Sequence, residues 1–172
     1  MLIQTQNASL LLVDVQARLL PSIDGAAEVL QHNIWLAQLT EVLQLPTVIS
    51  EHCRDKIGAT DPALSAAAPS AQYIAKTRFS AAHNLHDTAV AARKQVIITG
   101  IEAHVCVLQT AIELQQNGQQ VFLVAEAVGS RRSHDKTLAL SRMQQLGVQI
   151  VSREMVAFEL LGQADHPQFK PV

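Results

Sequence analysis

Short apolar segments alternate along this chain with longer segments of helical periodicity, and this alternation constrains the fold more than any other feature. Residues 10–13 are all apolar, which is typical of a strand buried on both faces. We predict six strands, at residues 9–13, 47–49, 72–76, 95–100, 121–124 and 148–151. We predict the main helices at residues 26–45, 85–93, 104–116, 132–146 and 153–161, the last of them capped by Ser152.

This order of elements predicts an α/β fold. Consecutive parallel strands need long crossover connections, so we expect a three-layer α-β-α sandwich with a six-stranded parallel sheet, a Rossmann-like arrangement. The length of 172 residues suits one domain, and no linker or repeat divides the chain, so we predict a single domain over residues 1–172. In such sheets the binding site lies beyond the carboxyl ends of the strands.

The composition argues against several classes of function. The chain has 13 Lys and Arg against 15 Asp and Glu, a net charge of −2, and only 3% aromatic residues, so we expect no nucleic-acid partner. No apolar run approaches the roughly 20 residues that span a bilayer, and the first residues do not resemble a signal peptide, so we expect no membrane partner. The two cysteines favour reduced thiols. We therefore expect a cytoplasmic protein with a small-molecule partner.

Three chemically useful side chains follow strands of the predicted sheet. Asp14 follows the first strand, Lys76 ends the third, and Cys106 comes shortly after Gly100 of the fourth. An Asp here can cap a helix, hold a metal ion or act as a general base, and a nearby lysine can stabilise negative charge. In the first turn of a helix, Cys106 would have a lowered pKa and act as a nucleophile; a buried, inert thiol is the alternative. We expect all three to face one cleft.

These residues resemble the pattern of the isochorismatase-like, or cysteine hydrolase, superfamily. That pattern is an Asp after the first strand, a Lys after the third, and Gly-x-x-x-x-x-Cys-Val entering the fourth helix, which here are Asp14, Lys76 and residues 100–107. The chain is most similar to the isochorismatase domain-containing protein subgroup, which also matches Ser130-Arg131 and the tail at residues 159–170. The likeness extends over nearly the whole chain.

The resemblance implies a hydrolase mechanism. Asp14 would take the proton of Cys106, whose sulfur would attack an amide-like carbonyl, while Lys76 would support the pair electrostatically. A cis peptide would join Ile101 and Glu102, and the backbone N–H groups of Glu102 and Cys106 would form an oxyanion hole. Release of ammonia or an amine would leave a thioester for water to hydrolyse. Members of the family commonly self-associate, so we also expect a homo-oligomer.

The resemblance does not extend to a metal site. Nicotinamidases of this superfamily carry an Asp-x-His metal motif after the second strand, whereas this chain has Ser-Glu-His at residues 50–52. We therefore expect no metal and no other cofactor. His83 and His86 fit a solvated helix start, with Asn84 as a cap, better than a pair of metal ligands. We interpret Cys53 as a loop thiol.

The walls of a substrate pocket are less constrained by the sequence. Our candidates are Gln16, Arg18 as a contact for a carboxylate, Phe79 near the mouth, and His104. His104 is two residues from Cys106 and would face away from it on a helix, so we do not expect a Cys–His dyad. Residues 130–132 fit either an anion contact or the start of a helix.

Other functions fit the pattern less well. A phosphoacceptor receiver domain needs an acceptor Asp at the end of the second or third strand, where this chain has Ser50 and Lys76. A dinucleotide-binding domain needs Gly-x-Gly-x-x-Gly after the first strand, and none is present there. The alternative that stays open is a catalytically silent binding or scaffold protein on the same fold.

Overall fold

The sheet is six-stranded and parallel throughout, as predicted. The computed structural model describes residues 1–170, so residues 171 and 172 of the predicted domain lie outside the described residues. The strands are β1 (Ala8–Val13), β2 (Thr47–His52), β3 (Gln72–Lys76), β4 (Gln95–Ile101), β5 (Gln120–Gly129) and β6 (Gln149–Val151). Their order across the sheet is β3-β2-β1-β4-β5-β6.

Helices cover both faces of this sheet, which confirms the three-layer α/β architecture. They are α1 (Ala26–Val42), α2 (Arg54–Ile57), α3 (Pro62–Ala67), α4 (Ala89–Ala92), α5 (Leu108–Gln116), α6 (Ser133–Gln145) and α7 (Arg153–Leu161). The core on one face is built with α1, α3 and α7, and the core on the other with α4, α5 and α6. Among residues 1–170, no helix combines the length and hydropathy needed to cross a membrane.

The two cores explain the uninterrupted apolar run of β1. Leu10 and Leu12 pack into the core that contains α1, whereas Leu11 and Val13 pack into the core that contains α5. All four side chains are fully buried. Since successive residues of a strand point to opposite faces, a central strand covered on both sides needs an apolar residue at every position.

Several element boundaries differ from the predicted ones. Strand β2 runs on to His52 because the buried polar residues Ser50 and Glu51, which have hydrogen-bond partners, continue it beyond the apolar run. Strand β5 runs on to Gly129 through the half-buried Glu126, whose polar side chain interrupts the apolar pattern. The helix predicted at residues 85–93 is only α4, and it is preceded by a short 3₁₀ turn at Ala82–Asn84. Asn84 is therefore not the helix cap we predicted, and its amide donates to the Ala75 carbonyl.

Glycine is required where β1 and β4 meet at the edge that carries the site. Gly100 pairs with Val13 in the parallel ladder and has a φ of 115°, a region that L side chains rarely adopt. A Cβ atom at Gly100 would lie 2.0 Å from the Val13 carbonyl oxygen. The absence of a side chain thus allows the chain that leads to Cys106 to run directly beside the residue that precedes Asp14.

Candidate active site

Asp14 and Lys76 form a buried ion pair at the carboxyl edge of the sheet. The Lys76 Nζ lies 2.6 Å from Asp14 Oδ2, and both side chains are 0% exposed. The other carboxylate oxygen, Oδ1, accepts a hydrogen bond of 2.7 Å from the Ser50 hydroxyl. Each oxygen of the buried carboxylate therefore has a partner, which is what a charge removed from water requires.

The ammonium group of Lys76 is held by further acceptors. Its Nζ donates to the backbone carbonyls of Phe79, at 2.8 Å, and Arg78, at 3.2 Å. An ammonium group has three hydrogens, and Asp14 with these two carbonyls supplies three acceptors. Lys76 is therefore a fixed positive charge beside the Asp14 carboxylate.

Cys106 lies next to this pair, in a π-helical turn at Ala103–Val107 that leads into α5. The thiol is nearly buried, at 6% exposure. Burial and the neighbouring Asp14 carboxylate raise the pKa of the Cys106 thiol to about 12, and Lys76 offsets this only in part. Our prediction of a lowered pKa is wrong because burial and the carboxylate outweigh the helix terminus. At neutral pH the thiol is protonated, with a carboxylate beside it.

The backbone around Cys106 is closely constrained. The Glu102 carbonyl accepts hydrogen bonds from the N–H groups of Val105, at 3.1 Å, and Val107, at 3.2 Å, which are the two neighbours of Cys106 in the chain. The Cys106 carbonyl accepts one from the Thr110 hydroxyl at 2.6 Å. The peptide bond between Ile101 and Glu102 is cis. Cys106, the candidate nucleophile, thus lies in a turn that is held by hydrogen bonds to the Glu102 carbonyl and to its own carbonyl.

The Glu102 side chain binds the segment that follows β5. Arg131 Nε and Nη2 donate to the two Glu102 carboxylate oxygens at 3.0 and 2.8 Å, and the Arg131 backbone N–H donates at 3.3 Å. Burial raises the pKa of Glu102, but the hydrogen bonds and charge of Arg131 outweigh it, so this pKa lies below its ordinary value. Helix α6 begins only at Ser133. Our reading of residues 130–132 as a helix start or anion contact missed this pairing.

Two of the predicted pocket residues are bound to the protein itself. The Gln16 amide links the end of β2 to Gly58. Its oxygen accepts from the His52 N–H at 2.8 Å, and its nitrogen donates to the carbonyls of His52 and Gly58. His104 Nδ1 lies 2.9 Å from the Ser130 hydroxyl oxygen. The structure therefore gives both polar groups a partner within the protein.

The other two pocket candidates differ in their relation to the ion pair. Phe79 is 52% exposed, its carbonyl binds Lys76, and its ring centroid lies 5.5 Å from that of His52. Burial and the charge of Lys76 lower the pKa of His52, so this ring is neutral at pH 7. Arg18 instead donates to the Lys56 carbonyl at 3.3 Å. Phe79 thus lies beside the ion pair, whereas Arg18 binds a carbonyl of the short helix α2.

Glu51 is a buried carboxylate whose role the sequence did not indicate. It is 4% exposed, accepts hydrogen bonds from the Thr60 N–H and hydroxyl at 2.8 and 2.9 Å, and pairs with Arg54 at 2.8 Å. The predicted second strand ends at residue 49, whereas Glu51 belongs to β2, which runs to His52. Its oxygens hold the segment around Thr60 against the strand, which is a structural role.

A cavity of about 570 Å³ is lined by residues of α2, of the end of β3 and of the segments next to them. Cys53, a free and half-exposed thiol, lines it together with Lys76. Among residues 1–170, no group of three or more His, Cys, Asp and Glu side chains is arranged to hold a metal ion. His83 and His86 are exposed, and their nearest acidic partners are Glu113 and Asp87.

The fold and the site together define an α/β protein with a buried Asp–Lys pair beside a cysteine. The model of the Isochorismatase domain matches residues 8–155 of the chain. Isochorismatase domain-containing protein 2 of Danio rerio is 34% identical over 173 residues, which cover 99% of this chain and 87% of that protein. The chain belongs to the isochorismatase family.

Solved structures support the same assignment. A structure described as MAR1 ribonuclease from Caenorhabditis elegans superimposes with a TM-score of 0.95 at 32% identity, covering 99% of this chain and 90% of that one. The YcaC gene product of Escherichia coli, described as an octameric hydrolase of unknown specificity, gives 0.89 at 29% identity, covering 95% and 84%. YcaC from Pseudomonas aeruginosa, in a structure with covalent acrylamide, gives 0.89 at 28% over the same shares. The family and these neighbours support a hydrolase in general.

Proposed function

We propose that the protein is a metal-independent cysteine hydrolase that cleaves a small amide or a related C–N bond through a thioester on Cys106. The observation that carries this proposal is the Asp14–Lys76 ion pair, fully buried and beside a thiol that is protonated at neutral pH. A buried carboxylate next to a protonated thiol is suited to general-base activation of a nucleophile.

In the proposed first step, the Cys106 proton passes to Asp14 as the sulfur attacks the carbonyl carbon. The negative charge that develops on the carbonyl oxygen is stabilised by the backbone N–H groups of Glu102 and Cys106. Lys76 has its hydrogens on Asp14 and two carbonyls, so it acts as a fixed charge and not as the proton donor. The proton on Asp14 then goes to the leaving nitrogen, and the C–N bond breaks.

The second step returns the enzyme to its starting state. With ammonia or an amine released, Asp14 is again a carboxylate and takes a proton from a water molecule that attacks the thioester. The carbon–sulfur bond breaks, the sulfur regains the proton from Asp14, and a carboxylic acid leaves as its anion. Neither step needs a metal ion or a cofactor.

The pH dependence of Cys106 alkylation tests this proposal. In a Cys53→Ser background, a thiol that shares its proton with Asp14 reacts with iodoacetamide at a rate nearly constant over roughly pH 6–9, because the proton moves within the pair. In Asp14→Asn no base is present, so the rate should be lower near pH 7 and should rise about tenfold per pH unit as the thiol ionises. Lys94→Met, an exposed lysine, is the control.

Two results would overturn the proposal. If the wild-type rate rises about tenfold per unit of pH and Asp14→Asn behaves alike, Asp14 is not a base for Cys106. If the thiol does not react at all, the catalytically silent binding protein becomes the better description. A ribonuclease activity, named for the Caenorhabditis elegans neighbour, is not part of the proposal, because a net charge of −2 does not favour binding to a phosphate backbone.

We propose further that the enzyme works in the cytoplasm as a homo-oligomer. Cys53 and Cys106 are both free thiols, which is the state that a reducing compartment maintains. The octameric state named for the Escherichia coli neighbour supports self-association. Sedimentation velocity of the purified protein tests it: a monomer at micromolar concentration would contradict the proposal.

A further inference from the structure

The segment after β5 is bonded to the Cys106 turn at two places. Arg131 makes three hydrogen bonds to the Glu102 carboxylate, two of them from its guanidinium group in a bidentate arrangement. One residue earlier in the chain, the Ser130 hydroxyl is 2.9 Å from His104 Nδ1. Ser130 is buried, whereas the Arg131 side chain is 55% exposed. Two residues of one segment are therefore paired with two residues of the other, and the two segments run in opposite directions at these contacts.

We infer that Arg131 is a positioning residue that holds the Glu102–Cys106 turn in the conformation needed to stabilise the oxyanion. This inference rests on the proposed function, because Glu102 supplies one of the two proposed oxyanion N–H groups. A bidentate Arg–carboxylate pair fixes both the position and the orientation of the carboxylate, which a single hydrogen bond does not. The Arg131 contact to the Glu102 side chain thus also holds the backbone of Glu102, whose N–H group is one of the two proposed oxyanion donors.

The pairing also explains why a large charged residue is buried next to the site. Glu102 is 8% exposed, and its carboxylate has no role in the proposed chemistry other than its bonds to Arg131. Displacement of an oxyanion donor by a fraction of an ångström weakens the stabilisation of the transition state, since such donors act through their geometry. The Glu102–Arg131 pair supplies that geometry from outside the reacting groups.

Two electrophiles with the same amide group can separate oxyanion stabilisation from the reactivity of the thiol. When the Cys106 sulfur adds to the terminal carbon of acrylamide, the π electrons of the C=C bond move to the amide oxygen, and the neighbouring carbon then takes the proton that the thiol gave up. When the sulfur displaces iodide from iodoacetamide, the charge leaves on iodide and none develops on the amide oxygen. The ratio of the two rates therefore reports the oxyanion hole.

The experiment measures both rates by mass spectrometry in a Cys53→Ser background. We expect Arg131→Met and Glu102→Gln each to lower the ratio of acrylamide to iodoacetamide rates about tenfold, with Arg131→Lys intermediate because it keeps the charge but loses the fork. The double variant should be no lower than either single one, because both remove the same pair. Arg132→Met, the exposed neighbour, is the matched control and should leave the ratio unchanged.

The outcomes separate this inference from the proposed function. Each variant is first shown by urea denaturation to be folded under the assay conditions, because an unfolded fraction would react with both reagents in the ratio of a free thiol. If Arg131→Met and Glu102→Gln leave the ratio at the wild-type value while Asp14→Asn slows both reagents, the inference is wrong and the proposed function stands. If Asp14→Asn slows neither reagent, the proposed function fails irrespective of Arg131.

Discussion

Replacing Lys76 with methionine should destabilise the protein because it leaves the Asp14 carboxylate charged and buried. Both side chains are 0% exposed, and without the ammonium group the carboxylate loses its opposite charge and keeps the neutral hydrogen bond from the Ser50 hydroxyl. Breaking a buried ion pair on one side costs about 3–5 kcal/mol. That is a large part of the roughly 5–15 kcal/mol by which a domain is stable.

A double-mutant cycle separates the interaction energy of the Asp14–Lys76 ion pair from the other effects of removing Lys76. Asp14→Asn strands the ammonium group, which still has the carbonyls of Arg78 and Phe79. The double variant leaves neither charge unpaired. We therefore expect its loss of stability to be smaller than the sum of the two single losses by about 2 kcal/mol. Free energies of unfolding are measured by urea denaturation at pH 7.

A surface lysine provides the control for this cycle. Lys94 is exposed, and its replacement by methionine should change the free energy of unfolding by less than about 0.5 kcal/mol. The reasoning is refuted if the effects of Asp14→Asn and Lys76→Met simply add, or if Lys76→Met costs no more than Lys94→Met. Either result would mean that the two charges are not energetically coupled in the folded protein.

Two further predictions concern Gly100, near the end of β4, and Glu102, which follows that strand. Gly100→Ala should lower the free energy of unfolding by more than about 3 kcal/mol in urea denaturation, because its Cβ would lie 2.0 Å from the Val13 oxygen at a φ of 115°; a loss below 1 kcal/mol would contradict it. The lowered pKa of Glu102 stabilises the fold above about pH 4.3, and this contribution, under about 1 kcal/mol beside a half-exposed arginine, is lost on acidification. The Tm difference between wild type and Glu102→Gln should therefore shrink below pH 4; a constant difference would argue against it.

The topology could be predicted because hydrophobic periodicity carries it. The apolar run of β1 and the helical spacing of α1 and α6 predict the right elements, and the sheet is parallel as expected. The boundaries were less predictable where polar residues are buried in strands. Glu51, for example, reads as a loop residue in the sequence and lies inside β2 because Thr60 and Arg54 satisfy its carboxylate.

The sequence predicted that Asp14, Lys76 and Cys106 lie close together, but not the electrostatics of the place where they meet. Asp14 and Cys106 follow strands and Lys76 ends one, and a parallel sheet brings such strand ends to the same edge. The pKa of Cys106 depends on burial and on the distance to a carboxylate, which no spacing in the sequence reports. The Glu102–Arg131 pair joins the segments that follow β4 and β5, which are far apart in the sequence. The match of Ser130-Arg131 to the family subgroup pointed to Arg131 but not to its partner.

The pairing of β1 with β4 has a consequence for how the protein folds. These neighbouring strands lead to Asp14 and to Cys106, yet their paired residues start at Ala8 and Gln95, so the whole of β2, β3 and helices α1 to α4 is synthesised between them. Contacts between such distant residues form slowly, because the entropy of closing a long loop is lost before the contacts stabilise the chain. Burial of the Cys106 thiol, followed by its protection from alkylation in pulses of a fast thiol reagent lasting about 5–10 s, should therefore lag behind the recovery of helix on refolding.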